Sequence, residues 1–97
     1  MAEVQSVVHS GENAQRFVQF VMMQARQAEL FLGRVPLPQT GQREVHLEPA
    51  RMFIDQLEMI REKTRGNLSN QETEILASVL ADLQAAYEDA KAGQAAG

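Results

Sequence analysis

Two breaks rich in glycine or proline divide the helical pattern of this 97-residue chain into three segments. The first break, residues 33–41, contains Pro36 and Pro38, and each proline forces the residue before it into an extended conformation. The second is the corner from Gly66 to Ser69, which is short enough to join two antiparallel helices. The sequence therefore predicts an all-α, three-helix domain. A structured PxTG connection would join helices 1 and 2, and helices 2 and 3 would form an αα-hairpin.

Capping signals predict where the first two helices begin and end. Small polar residues from Ser10 to Asn13 can accept bonds from the free amides at a helix start, and Gly33 suits a helix end. Helix 2 is predicted to begin at Pro49. Proline has no backbone N–H, and the N–H of the first helical residue makes no hydrogen bond within the helix. It is predicted to run to about Arg65.

The third helix is predicted from a capping box in which Ser69 and Glu72 satisfy each other's backbone donors. It is expected to fade near residues 87–90, before an alanine- and glycine-rich tail. We expect one domain over residues 11–89, with flexible termini at residues 1–10 and 90–97.

Composition and charge exclude several classes of protein. The absence of cysteine removes disulfide scaffolds, thiolate zinc sites and cysteine nucleophiles together. The net charge of −4 argues against sequence-independent binding of nucleic acid. Polar residues interrupt the most apolar stretch, residues 17–32, so it does not suit a membrane-spanning helix. Residues 1–13 lack the pattern of a signal peptide, and we expect a cytoplasmic protein.

No catalytic or metal-binding constellation stands out in the sequence. The two histidines, His9 and His46, lack the partners and spacing of a zinc site. Asp55 and Glu58 are spaced as a carboxylate pair, but neighbouring arginines favour an ordinary charge-paired helix surface. Lys63 precedes a threonine, as in a phosphate-binding loop, yet the glycine-rich stretch before it is missing. We therefore expect a protein that is not an enzyme and needs no cofactor or metal.

Helix 1 has more apolar surface than a three-helix bundle can cover. Its apolar residues spread over about 200° of the helix circumference. One explanation is a second chain, since small domains often gain core by association. The other is that the proline-rich connection folds back over the helix. The candidate interface residues are Phe20, Met23, Leu30 and Phe31 on helix 1, with Met52 and Met59 on the outer side of helix 2. For the helix 2 pair, ordinary exposed methionine is the simpler explanation.

Basic residues concentrate at the corner between helices 2 and 3. Arg61, Lys63 and Arg65 stand near the helix end, where the dipole favours cations, and Asn67 tolerates unusual backbone angles. This pattern is typical of a tight interhelical corner. The same residues, with the free amides that start helix 3, also suit an anion or an acidic partner.

Several short motifs together resemble a bacterial family of small helical domains catalogued as a domain of unknown function. They are Leu32-Gly33, Pro38-Gln39-Thr40-Gly41, Leu47-Glu48-Pro49-Ala50, Ile54-Asp55-Gln56-Leu57-Glu58 and Glu62-Lys63-Thr64-Arg65-Gly66-Asn67-Leu68. The resemblance covers about residues 14–87 and implies no catalytic activity. One branch of the family, the RomX-type polarity proteins, implies partnership with a Ras-like motility GTPase and a response regulator.

Two functions therefore stand as hypotheses. The first is a non-catalytic interaction or regulatory module that self-associates, with a homodimer as the expected form. The most specific partner under this hypothesis is a small GTPase or polarity scaffold. The alternative is a domain that binds a small ligand or anion at the corner between Arg61 and Arg65 and the start of helix 3. Neither hypothesis involves nucleic acid or a membrane.

Overall fold

A computed structural model of the chain describes residues 2–96, with side chains described for residues 11–94. It contains helices α1 (Ala2–Phe31), α2 (Leu47–Lys63) and α3 (Asn70–Ala96). Within these residues the only β-pairing is an isolated antiparallel bridge between Leu32 and Val45. Each helix packs against the other two. The predicted all-α, three-helix domain with packed helices 2 and 3 is confirmed.

The core is formed by one face of each helix. Residues three or four apart on a helix share a face, so the apolar stripes seen in the sequence become the three sides of the core. Partly buried residues, among them Phe17, Phe53 and Tyr87, close its edges. The buried apolar side chains are Val21, Ala25, Ala28, Leu32, Ala50, Ile54, Leu57, Leu76, Leu80 and Leu83.

Contacts between the helices give α1 and α3 one direction and α2 the opposite one. Phe31, at the end of α1, stacks on Phe53 near the start of α2. Just past the end of α1, Arg34 forms an ion pair of 2.9 Å with Asp82 at the middle of α3. The side chain of Gln94, near the end of α3, donates to the carbonyl of Val45 in the connection at 3.5 Å. The connection between α1 and α2 thus lies at the same end of the bundle as the end of α3.

The end of α1 is a glycine-capped turn, as the sequence predicts. Gly33 has a φ of 77°, in the left-handed region. Its N–H donates to the Leu30 carbonyl at 3.2 Å, and the Arg34 N–H donates to the Glu29 carbonyl at 3.0 Å. This pair of bonds is the Schellman arrangement, which satisfies carbonyls left free at the helix end. A Cβ at Gly33 would lie 3.0 Å from the Cγ2 atom of Val45.

The predicted start of α1 between Ser10 and Asn13 is wrong, because the helix begins at Ala2. Ser10 and Asn13 are good capping residues, but neither breaks a helix that already runs through them. Gly11 has no positive φ and costs only about 1 kcal/mol relative to alanine inside a helix. Without a proline, the backbone continues through all of these residues.

Helix α2 begins two residues earlier and ends two residues earlier than predicted. It spans Leu47–Lys63, so Pro49 is its third residue rather than its first. Proline fits there because the first four backbone N–H groups of a helix have no partner within it. At the other end the Thr64 side chain donates to the carbonyl of Ile60 at 2.7 Å and caps the last turn.

The capping box at the start of α3 is confirmed. The Ser69 backbone N–H donates to Glu72 Oε1 at 2.8 Å, and the Glu72 N–H donates to Ser69 Oγ at 3.1 Å. The predicted fading of the helix near residues 87–90 is wrong, since α3 continues to Ala96. The reason is composition: alanine has the highest helix propensity, and Gly93 alone does not end the helix.

Both ends of the chain therefore contribute helix beyond the predicted domain of residues 11–89. The flexibility predicted for residues 1–10 and 90–97 remains a prediction. Met1, Gly97 and the side chain of His9 lie outside the described residues.

Candidate functional site

Two exposed apolar residues of α1, Phe20 and Met23, are called here the α1 patch, because they lie only about 60° apart on the helix circumference. Their side chains are 44% and 68% exposed, whereas Met22, which is 51% exposed, lies about 160° from Phe20 on the opposite flank of the helix. Phe20 lies eleven residues before Phe31, which places the two on nearly the same flank of α1, about 20° apart. Phe31 is covered by α2, whereas Phe20 is not. The α1 patch therefore begins on the part of this flank that α2 does not contact.

The predicted interface residues of helix 1 fall into two groups. Phe31 is half-buried, with its ring 6.0 Å from that of Phe53 and 6.1 Å from that of His46. Leu30 is half-buried and lines a cleft with Leu37 and Pro38 of the connection. For these two residues the connection and α2 supply cover within the chain. Phe20 and Met23 keep their exposure, and contact with a second chain remains a prediction for all four residues.

Gln24 lies one turn after Phe20, and no sequence motif marks it. Its side-chain Oε1 atom is buried and accepts no hydrogen bond. A buried acceptor without a donor is costly, by about 1–3 kcal/mol. Periodicity alone does not reveal such an atom, because glutamine is usually exposed at the edge of an apolar stripe.

Met52 and Met59 lie in a shallow groove between α2 and α3, called here the α2–α3 groove. Their side chains are 48% and 47% exposed. Tyr87 of α3 closes one side, and the guanidinium of Arg51 lies 5.5 Å from the centre of its ring. The groove is lined by Leu47, Glu48, Arg51, Met52, Asp55, Gln56, Met59 and Tyr87. The two methionines thus line one shallow, open groove together with Tyr87.

The basic corner is only partly assembled. Arg61 and Arg65 line one small cleft, together with Thr64, Leu68 and other corner residues. Lys63 and Asn67 do not line this cleft.

Two acidic side chains already engage the same corner. Arg65 forms an ion pair with Glu62, with 2.7 Å between nitrogen and oxygen. The Glu72 carboxylate accepts a bond at the start of α3, where an anion would otherwise approach. Two of the four predicted anion contacts, Arg61 and Arg65, therefore share a cleft. The start of α3 beside this cleft is already occupied by the carboxylate of Glu72.

The carboxylate pair on α2 is held by ion pairs and hydrogen bonds. Asp55 binds the guanidinium of Arg51 at 2.8 Å, and Glu58 accepts a hydrogen bond from the side chain of Gln84. His46 lies 3.1 Å from the carboxylate of Glu44. Across the residues that the structure describes, no three acidic, histidine or cysteine side chains cluster to hold a metal ion.

The fold and its exposed surfaces define a small three-helix domain whose most prominent features are apolar patches. Residues 14–89 match a family described as a domain of unknown function, DUF1844, and the chain belongs to this family. The family resemblance inferred from the motifs is confirmed at this level. No curated protein and no solved structure matches the chain. None of the described helices is both long enough and apolar enough to span a membrane.

Proposed function

We propose that the chain is a non-catalytic protein-interaction module that associates with a second copy through the α1 patch. The observation that carries this proposal is the exposure of Phe20 and Met23 on the same side of one helix. Large exposed apolar patches mark interaction sites in soluble proteins. The absence of cysteine suits a reducing compartment, and we place the module in the cytoplasm.

Covering one large apolar side chain contributes roughly 1.5–3 kcal/mol, and a two-fold dimer makes every contact twice. A domain of this size has a thin core, so an interface adds a substantial fraction to its stability. Aromatic residues and methionine are also the apolar types enriched at interfaces.

The proposal is tested by placing charge on the α1 patch. Phe20→Glu combined with Met23→Glu is expected to convert a dimer into a monomer, measured by size-exclusion chromatography with light scattering. The matched control is Ala77→Glu with Ala81→Glu, which adds the same charge at exposed positions of α3. If both double variants keep the mass of the unmodified protein, α1 does not form the interface.

A finer version of the proposal makes the module a regulatory partner of a Ras-like GTPase or polarity scaffold. Its support is the resemblance to the family as a whole, one branch of which, the RomX-type polarity proteins, is implicated in partnering a Ras-like GTPase. Binding of the purified chain to such a GTPase, in its GDP- and GTP-bound forms, tests it. Absence of binding to both forms would remove this version and leave the self-association unaffected.

The second candidate function is anion binding at the basic corner. The observation in its favour is that Arg61 and Arg65 line the same cleft. A phosphate-containing ligand bound there would raise the thermal midpoint of unfolding, because a ligand that binds only the folded state stabilises it. Arg61→Gln with Arg65→Gln is expected to abolish the shift. A midpoint that does not change with phosphate would exclude this function.

A further inference from the structure

We infer that the α2–α3 groove is the docking site for a lysine- or arginine-rich amphipathic helix of a different protein. The inference concerns a second surface and does not depend on self-association through α1. It rests on the shape of the groove, the charge of its rim and the side of the bundle on which it opens.

The floor of the groove has the spacing of an apolar helix face. Met52 and Met59 are seven residues apart, which is two turns or about 10.5 Å along α2. A helix that docks in a groove anchors itself through apolar residues at positions i, i+3 or i+4, and i+7, which span the same length. Leu47 and Tyr87 add apolar surface to the lining of the groove. Methionine suits such a floor because its unbranched side chain adapts to the partner.

The rim of the groove is acidic, which selects the charge of the partner. Glu48 and Asp55 line the groove, and Glu58 stands next to them. The one base among them, Arg51, is shared by Asp55 at 2.8 Å and Glu58 at 3.7 Å. The lining therefore carries two carboxylates and one guanidinium, and a third carboxylate, that of Glu58, lies beside it. Complementary charge favours a basic partner and disfavours an acidic one.

The groove opens away from the α1 patch. It is lined by α2 and by Tyr87 of α3, without a residue from α1. Phe20 lies on the flank of α1 that continues toward Phe31 and Phe53, on the other side of α2. A second copy bound at the α1 patch would leave the groove open. The assembled protein would then present one groove for each chain.

The experiment uses a fluorescent model peptide of leucine and lysine with apolar residues at helical spacing, and a leucine–glutamate peptide of identical pattern. Fluorescence anisotropy at low salt is expected to show binding of the lysine peptide alone. Met52→Gln with Met59→Gln should weaken that binding about tenfold, because two apolar anchors are lost. Glu48→Gln with Asp55→Asn should weaken it about fivefold, and added salt should reduce this difference.

The matched control is Glu74→Gln with Asp89→Asn, which removes the same two charges from exposed positions of α3 outside the groove. Its affinity is expected to stay within about twofold of the unmodified chain. Equal loss in this control, equal binding of the glutamate peptide, or unchanged binding in the methionine variant would overturn the inference. So would loss of self-association in the methionine variant, since a second copy would then fill the groove. If the chain does not self-associate through the α1 patch, the expected peptide-binding results are unchanged.

Discussion

The rings of Phe31 and Phe53 stack with their centres 6.0 Å apart and their planes only 10° from parallel. This contact joins the last turn of α1 to the second turn of α2, on the flank that leads to the α1 patch. It also divides the apolar surface of α1 into a part covered within the chain and a part exposed to solvent.

Replacing Phe31 with alanine is expected to lower the free energy of unfolding by about 2 kcal/mol, less than for a fully buried phenylalanine. Phe53→Ala should have a similar effect, and the double variant should reveal a coupling of about 1 kcal/mol. Denaturant unfolding measures each value. Phe20→Ala, measured in dilute protein, is the control and should change stability by less than about 0.5 kcal/mol. Strict additivity of Phe31→Ala and Phe53→Ala would contradict the stacking contact.

Two glycines should respond to alanine with opposite signs. Gly33→Ala is expected to destabilise the chain by at least about 1 kcal/mol, because its φ is 77° and the new Cβ would meet Val45. Gly11→Ala should stabilise it by about 0.5–1 kcal/mol, because Gly11 is helical with open space around it. Thermal unfolding of the two variants compares them directly. A gain in stability from Gly33→Ala would show that the capped turn does not constrain the end of α1.

The capping box at the start of α3 should be measurable through Ser69. Ser69→Ala removes the hydroxyl that accepts from the Glu72 N–H and is expected to cost about 1 kcal/mol. Ser78→Ala, at an exposed position inside the same helix, should be neutral or slightly stabilising. Denaturant midpoints report the contrast, and equal effects of the two substitutions would argue against the cap.

Gln24→Met is expected to stabilise the chain by about 1 kcal/mol. The substitution keeps the length of the side chain and removes the buried Oε1 that accepts no hydrogen bond. A higher thermal midpoint is the expected result. A fall of similar size would mean that the oxygen is satisfied in solution.

The parts of the fold that depend on local chemistry were predictable from the sequence. The core faces of α2 and α3 follow from apolar residues at helical spacing, and Gly33 and Ser69 act as the caps that their types indicate. The start of α1 and the end of α3 were not predictable by the same reasoning. At Ser10 a capping residue lies within a helix, and at residues 90–96 alanine propensity outweighs one glycine.

The candidate surfaces depend on tertiary placement, which periodicity does not contain. On the helix circumference Leu30 and Met23 both lie beyond the core face, yet only Leu30 meets the connection. The path of the connection between α1 and α2 therefore determines which of the two side chains is covered within the chain. Tyr87 was predicted as part of the α3 core stripe, and its place in the same groove as Met52 depends on the packing of α3 against α2.

The central claim is that the chain associates with a second copy through α1. Sedimentation of the unmodified protein over a concentration series tests it most directly. Burial of several apolar side chains predicts a dimer at about 100 µM, with dissociation on dilution. A protein that sediments as a monomer at that concentration would contradict the account, and the α1 patch would then be ordinary exposed surface.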